Sequence, residues 1–393
     1  MLTTTGWGVA VGSMALVVVG RLLGIYELFL IGAGGAALVV AAVLRVATVR
    51  LKVEVSRELQ PARVHAGTPS RVELRVRNRS GLRTPVLTLR DPVGRGRTAR
   101  VVLPPLGRDE TVRAAYRLPT DRRGLLRVGP MTIEITDPFG IASSSTEGAP
   151  LTELTVWPAV DDVLPLPHTS GDDPLAGADH PTPLTANGED FYALRPYNLG
   201  DDLRRVHWKS SARSQDLMVR QDEMPWQGRA TVILDSRRGA HSEESFERAV
   251  SAAASVILAC SRHRFLVRLA MTNGDDSQFG AGGAHVEGIL ERLSTIELTE
   301  EGRLGGVLNS LRGAGSGGAL VAMLGGRAVP DVPAVHRLRM TYPSLTVVRF
   351  VVGRLDREAK SMGELLVDDD TPFAEIWDTA RRALRPRQWS ATR

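Results

Sequence analysis

Two stretches hold side chains whose types and spacing could do chemistry. The first runs from Arg195 to Arg213 and reads R-x-Y-x-x-G-D-D-x-R-x-V-x-W-x-x-S-A-R. Asn198-Leu199-Gly200 is a turn, and Asp201 or Asp202 can cap a short helix that starts there. On such a helix Asp201 faces Arg204 and Arg205, three and four residues on. Two readings follow. Buried Arg–Asp pairs, with Leu203, Val206 and Trp208 packed beside them, would clasp two domains together. Alternatively Arg195, Arg204, Lys209 and Arg213 would present a cationic surface to a partner or an anion. The second stretch is Asp235-Ser236, directly after the apolar run Thr231–Leu234. A carboxylate and a hydroxyl at a strand end are hard oxygen donors of the kind Mg²⁺ takes. Arg237 places a competing positive charge in the same loop. A degenerate site without metal is therefore expected at Asp235 and Ser236.

Other chemistries find no support. The chain has no G-x-x-x-x-G-K-[ST], no H-E-x-x-H and no paired cysteines, so it is neither a P-loop ATPase nor a common zinc protein. Residues 313–318 match G-x-G-x-x-G by letter, but they precede a strand, whereas a dinucleotide loop follows one and opens a helix. The histidines are scattered singly, His207 within the first stretch among them, and no carboxylate pair stands out for acid–base work. Cys260, the one cysteine, falls on an apolar helical stripe and reads as core. No catalytic residue and no cofactor are expected.

The elements that must carry these residues are legible from periodicity. Strands are expected at Thr231–Leu234, Phe265–Leu269, Ala319–Leu324 and Leu345–Val352. Ser242 caps a helix with Glu243 and Glu244 in its first turn and Phe246, Val250, Ala253, Ile257 and Cys260 along one face. Helices follow near 285–296 and 302–312, and a last one starts at Thr371-Pro372 with Phe373, Trp377, Ala380 and Leu384 as its stripe. Near-continuous apolar strands alternating with helices imply a parallel sheet covered on both faces. Leu217–Arg220 is a further strand beside the first stretch.

Upstream, Leu51–Val55, Val72–Arg77, Val86–Arg90, Val101–Leu103, Thr111–Arg117 and Met131–Ile135 are short period-2 runs between Gly/Pro/Asn/Asp turns. They imply an all-β sandwich with an arginine-rich solvent face. No aromatics are interleaved with those basic residues as a nucleic-acid stacking platform requires. Attraction to anionic lipid headgroups suits the face equally with plain solvation.

Before them, Leu2–Gly20 and Leu28–Leu44 carry no charge. Each reaches the length of a membrane span, and the short break at Arg21–Glu27 suits a hairpin. No basic stretch precedes the first run and a second follows at once, which is not the pattern of a cleaved leader. Gly8 and Gly12, and Gly32 with Ala36, have the small-x-x-x-small spacing that lets helices approach within the hairpin or between two copies. Arg45, Arg50, Lys52 and Arg57 follow the second run, while Arg21 alone lies in the loop, so the soluble part is expected on the cytoplasmic side of the membrane. At 43% apolar and 24% charged the remainder is ordinary globular chain, and a single cysteine excludes a disulfide-stapled scaffold.

These observations divide the chain into a two-helix transmembrane hairpin (1–47), a β-sandwich domain (48–146), a Pro/Gly/Asp-rich connection (147–190), the signature segment (191–225) and an α/β domain (226–393). The Arg195–Arg213 run, including Tyr197, Gly200, Asp201, Arg204 and Trp208, resembles the signature of the bacterial domain-of-unknown-function 58 family. Arg123–Pro130 and Asp137-Pro138-Phe139-Gly140 resemble the end of the β domain that precedes it there. An Asp closing the first strand of the α/β domain is similar to von Willebrand factor A-like (Rossmann-type) domains, which bind Mg²⁺ through D-x-S-x-S; here Arg237 and Gly239 replace both serines. The family resemblance implies a membrane-anchored partner of a MoxR-type AAA+ ATPase and of transglutaminase-like membrane proteins, with no established enzymatic activity. A non-enzymatic adaptor at the lipid bilayer, with no nucleic-acid partner, is the expectation. The rival readings are a cryptic hydrolase at the signature and Asp235, and a metal-dependent adhesion module.

Overall fold

The two uncharged runs form helices α1 (Thr4–Leu23) and α2 (Tyr26–Thr48), joined through Gly24 in left-handed backbone at φ 68°. Both are long and apolar enough to cross a membrane. Their large apolar side chains point outward: Trp7, Met14, Leu22, Leu30, Val40 and Leu44 are all exposed. Small residues close the contact between the helices. A Cβ on Gly32 would lie 2.7 Å from the Val17 nitrogen and 2.8 Å from the Ser13 carbonyl oxygen. Gly8 and Gly12 face open space and take no part in the hairpin.

The computed structural model describes residues 2–48, 52–167, 190–196, 206–212, 217–223, 228–313, 317–353 and 363–383. The chain falls into two compact units, Met1–Pro158 and Ala159–Arg393.

In the first unit, strands β1 (Val53–Gln60), β3 (Ser70–Asn78) and β6 (Thr111–Leu118) make an antiparallel three-stranded sheet. A seven-stranded sheet runs in the order β2 (Arg63–His65), β10 (Thr152–Trp157), β7 (Gly124–Val128), β4 (Leu87–Val93), β8 (Met131–Thr136) and β9 (Ser143–Ala149), with β5 (Arg97–Leu103) paired to β4. Alternation decides the faces: Val72, Leu74 and Val76 of one sheet meet Leu87, Leu89 and Ile133 of the other in a single core. The strand-rich region continues to Trp157, so β9 and β10 lie within or beyond the border expected at residue 146.

The second unit opens with an extended strap, residues 159–167. The Asp161 N–H donates to Ser255 Oγ (2.9 Å), the Leu166 N–H to Cys260 Sγ (3.4 Å), and Trp377 Nε1 to the Leu164 carbonyl (2.7 Å). The strap thus lies on α4 (Glu243–Arg262) and α8 (Phe373–Ala383). Strands β11 (Asp190–Pro196) and β12 (Met218–Glu223) pair as an antiparallel ribbon, with the short helix α3 (Trp208–Ser211) between them. The remainder is a five-stranded all-parallel sheet in the order β14 (Leu266–Met271), β13 (Arg229–Leu234), β15 (Ala319–Gly325), β16 (Ser344–Phe350) and β17 (Glu364–Val367). Helices α5 (Gly283–Thr295) and α6 (Leu304–Gly313) lie between β14 and β15, and α7 (Val332–His336) between β15 and β16. Every residue of β15 is buried, as a central strand covered on both faces demands. Ser242 caps α4 through the Ser245 N–H, and Phe246, Val250, Ala253, Ile257 and Cys260 all face the core.

Candidate functional site

The chain leaves β13 toward β14 on one side and returns to β15 on the other, so strand order reverses between β13 and β15. In open parallel sheets the crevice outside the carboxyl ends of the strands at such a point is where ligands bind. Asp235 stands there. Its N–H donates to the Met323 carbonyl of β15 (2.9 Å), and its side chain is fully buried.

Both carboxylate oxygens of Asp235 are engaged. Oδ1 accepts from Arg237 Nε (2.9 Å), the Arg237 N–H (3.1 Å) and Thr272 Oγ1 (3.3 Å); Oδ2 accepts from Arg237 Nη2 (2.8 Å). Arg237 Nη2 also donates to Asp331 Oδ2 (2.7 Å), so one guanidinium bridges two carboxylates. Hydrogen bonding to Asp235, with the charges of Asp235 and Asp331 behind it, holds the Arg237 pKa above its ordinary value against the opposing pull of burial. The Ser236 N–H donates to Thr272 Oγ1 (2.8 Å), and the two hydroxyls lie 3.0 Å apart.

The turn that follows Arg237 packs closely on the end of β15. A Cβ on Gly325, at the end of β15, would collide with the Ala240 carbonyl oxygen. His241, 2% exposed, lies with Nδ1 3.0 Å from Ser245 Oγ, while its Nε2 has no hydrogen-bond partner among the described residues. Burial, outweighing the attraction of Asp235, lowers the His241 pKa to about 4, so the ring is neutral at pH 7.

The donor chemistry bears on a metal. Asp235, Ser236, Thr272 and Asp331 offer hard oxygens suited to a divalent cation. The guanidinium of Arg237 lies among them and consumes both oxygens of Asp235. The residues present therefore do not fit Mg²⁺. Among the described residues no group of three or more His, Cys, Asp and Glu side chains could hold a metal ion.

Sequence reasoning found Asp235, Ser236 and the obstructing Arg237. It missed Thr272 and Asp331. Asp331 sits in the short turn Val329–Asp331 beyond β15, and nothing local marks it as a partner of Arg237. Cys260 is buried as expected, and burial pushes its thiol up to about 12.

Of the signature residues, Arg195 lies in β11 opposite Val219 of β12. Trp208 opens α3 and is 66% exposed, so it is not packed as expected, whereas Val206 is buried as expected. The His207 N–H and Ser211 Oγ tie α3 to the Met218 carbonyl at 2.8 and 3.5 Å. Tyr197, Gly200, Asp201, Arg204 and Arg213 lie outside the described residues, as does the helix expected at Asp201.

A family model described as "Protein of unknown function DUF58" matches residues 193–391, which takes in the end of β11, the Arg195–Arg213 run and the whole parallel sheet. The chain belongs to the DUF58 family. The match covers all of the signature from Ala193 onward together with Asp235 and Arg237. No curated protein matches the chain. Solved structures with local similarity include the CARDB domain of a Pyrococcus furiosus protein, at 17% identity over 27% of this chain and 90% of that one, TM-score 0.20. A Pseudomonas fluorescens alkylpurine DNA glycosylase bound to DNA is 15% identical over 32% of this chain and 40% of that one, TM-score 0.18. A Listeria innocua β-glucosidase is 14% identical over 25% of this chain and 16% of that one, TM-score 0.17. At such TM-scores none of the three bears on the fold or function of this DUF58 chain.

Proposed function

We propose that this chain is a membrane-anchored, non-enzymatic scaffold. Its α1–α2 hairpin spans the cytoplasmic membrane and its soluble units face the cytoplasm. The second unit works as a von Willebrand factor A-like domain that has exchanged its metal for an internal cation. The partner is a MoxR-type AAA+ ATPase, coupled through this chain to envelope-associated proteins of the transglutaminase-like class. The observation that carries this reading is the engagement of the switch-point carboxylate: Asp235 is spent on Arg237, and Ala240 and His241 pack against Gly325 at the end of β15. Such a site suits a structural or docking role better than turnover.

The test is co-purification. Tagged full-length protein is extracted from native membranes in mild detergent, and wild type is compared with Asp201→Ala/Arg204→Ala. An AAA+ ATPase that accompanies the wild type and is lost from the folded variant makes the signature its docking surface. Equal recovery with both keeps the scaffold and makes the signature a clasp. If no ATPase appears with either, even after cross-linking, the scaffold reading falls.

A further inference from the structure

The motif Asp137-Pro138-Phe139-Gly140 has no part in the function proposed above, yet it sits where the β domain meets the hairpin. The Thr3 N–H donates to the Ile141 carbonyl (2.9 Å), and Thr3 Oγ1 to the Gly140 carbonyl (2.5 Å). Leu2 bridges to Ala142, and Gly6 in the first turn of α1 presses on the Ile141 carbonyl. Ile141 and Ala142 share a small core with Ala42 and Val46 of α2. Ala42 lies six residues before the end of α2, or about 9 Å along its axis at 1.5 Å per residue. The loop therefore grips the hairpin inside its apolar length, at the level where both helices end.

The tip of this loop is built to leave water. Phe139 is 66% exposed. The N–H groups of Phe139 and Ala142 donate to the carboxylate of Asp137 (2.9 and 2.6 Å), and that of Gly140 to the Asp137 carbonyl (3.0 Å). Pro138 has no N–H. Donors paired within the loop in this way enter an apolar phase at less cost than unpaired ones. Trp7, one residue beyond Gly6, is also exposed, so two aromatic side chains flank the same end of the hairpin. Aromatic side chains concentrate at that level of a bilayer. At this end of the β domain lies a second apolar tip, Leu82, 80% exposed. Its loop is fixed by the Arg79 N–H, which donates to the Lys52 carbonyl (2.7 Å), and by Asn78 Nδ2, which donates to the Leu82 carbonyl (2.8 Å). Arg83 follows Leu82 in sequence, and Arg79, three residues before it, pairs with Glu54.

We infer that the Asp137–Ala142 loop is a membrane-interface anchor, with Phe139 seated among the lipid headgroups and upper acyl chains beside Trp7. The occupant of this surface is the lipid bilayer itself, because the loop is continuous with the lipid-facing surface of the hairpin. The inference rests on the hairpin spanning the membrane, and the experiment separates the two.

Cys260 is fully buried and its thiol is held protonated, so a cysteine placed on the surface takes an environment-sensitive fluorophore selectively. Full-length Phe139→Cys, Val18→Cys and Leu125→Cys proteins are labelled and reconstituted in phosphatidylcholine/phosphatidylglycerol vesicles. Unlabelled parent protein checks that Cys260 stays silent. The expected result is blue-shifted emission at position 139, quenched by headgroup-level nitroxide lipid and protected from iodide. Position 18, within the apolar length of α1 and five residues before its end, answers to acyl-chain nitroxide, and position 125, an exposed strand residue, to iodide. If 139 behaves like 125 while 18 lies in lipid, the anchor is overturned and the hairpin stands. If 18 also behaves like 125, the hairpin reading fails and the anchor with it. Protection of 139 from both quenchers means a protein covers the loop, and overturns the inference.

Discussion

At the scale of single residues, Arg237 decides the character of the switch point. It is only partly exposed, yet it neutralises the wholly buried Asp235. Removing one partner of a buried pair leaves an uncompensated charge and costs about 3–5 kcal/mol. Arg237→Ser should therefore lower the unfolding midpoint sharply, and millimolar Mn²⁺ should restore part of the loss by binding Asp235, Ser236, Thr272 and Asp331. Wild type should melt identically with Mn²⁺ or with chelator. Thermal unfolding of both proteins, with and without the ion, checks the pair of outcomes. His241 supplies a pH-dependent counterpart. Its pKa is about 4 when folded, against an ordinary 6.5. The unfolded chain thus binds the extra proton between these values, and stability rises with pH across that window. Stability should be full above pH 6.5 and fall toward pH 4, by about 3 kcal/mol for this one ring. Denaturant midpoints at pH 7, 6 and 5 should decline in wild type and decline less in His241→Leu. The position of Asp235 was legible because an apolar strand ends at it. Asp331 and Thr272 were not, because each reaches the site from a different crossover and only the finished sheet brings them together.

At the scale of elements, local signals were read well and non-local ones poorly. The cap at Ser242 and the stripe from Phe246 to Cys260 are local, and α4 begins and faces as they require. β9, Ser143–Ala149, has no apolar alternation, since its residues are small or polar and the strand is held by its ladder to β8. Nothing in its own composition marks it. β10 does alternate, with Leu154 and Val156 buried, but it sits in a Pro/Gly-rich stretch that reads as connection. The two sheets of the β domain are also stapled by groups no periodicity reveals. Arg57 on β1 donates to both oxygens of Asp91 on β4 (2.8 and 3.0 Å), and Tyr116 Oη on β6 donates to Asp91 Oδ2 (2.5 Å). Both ionised side chains of the pair are 2% exposed. Burial, reinforced by the Asp91 hydrogen bond, raises the Tyr116 pKa, so the phenol stays a donor. Arg57→Ala should cost about 3–5 kcal/mol, and Tyr116→Phe nearer 1–3 kcal/mol, in chemical denaturation. Equal small effects would mean the staple is incidental to how the sheets hold together.

At the scale of the whole molecule, an apolar hairpin, two sheets around one core and an all-parallel sheet follow one another along the chain. The order of these parts was legible because each has its own period: unbroken apolar runs, then two, then 3.6 alternating with short strands. Asymmetry of charge is equally legible, and it carries the orientation. With Arg45, Arg50 and Lys52 beyond the second span, a reporter fused to the carboxyl end should report from the cytoplasm, and one inserted at Gly24 from the opposite side. A reporter at either place reading the reverse would invert the proposed topology.

The strand order also has a consequence in time. β13 is made early, but one of its two neighbours is β15: Ala230 pairs with Ala319, and the helices and strand between them must be synthesised first. Until then β13 and β14 are a pair with an apolar edge open to any strand that passes. As the nascent chain leaves the ribosome, that interval leaves the protein open to misassembly with its neighbours. It closes when Leu320, Ala322 and Leu324 arrive and the centre of the sheet is complete.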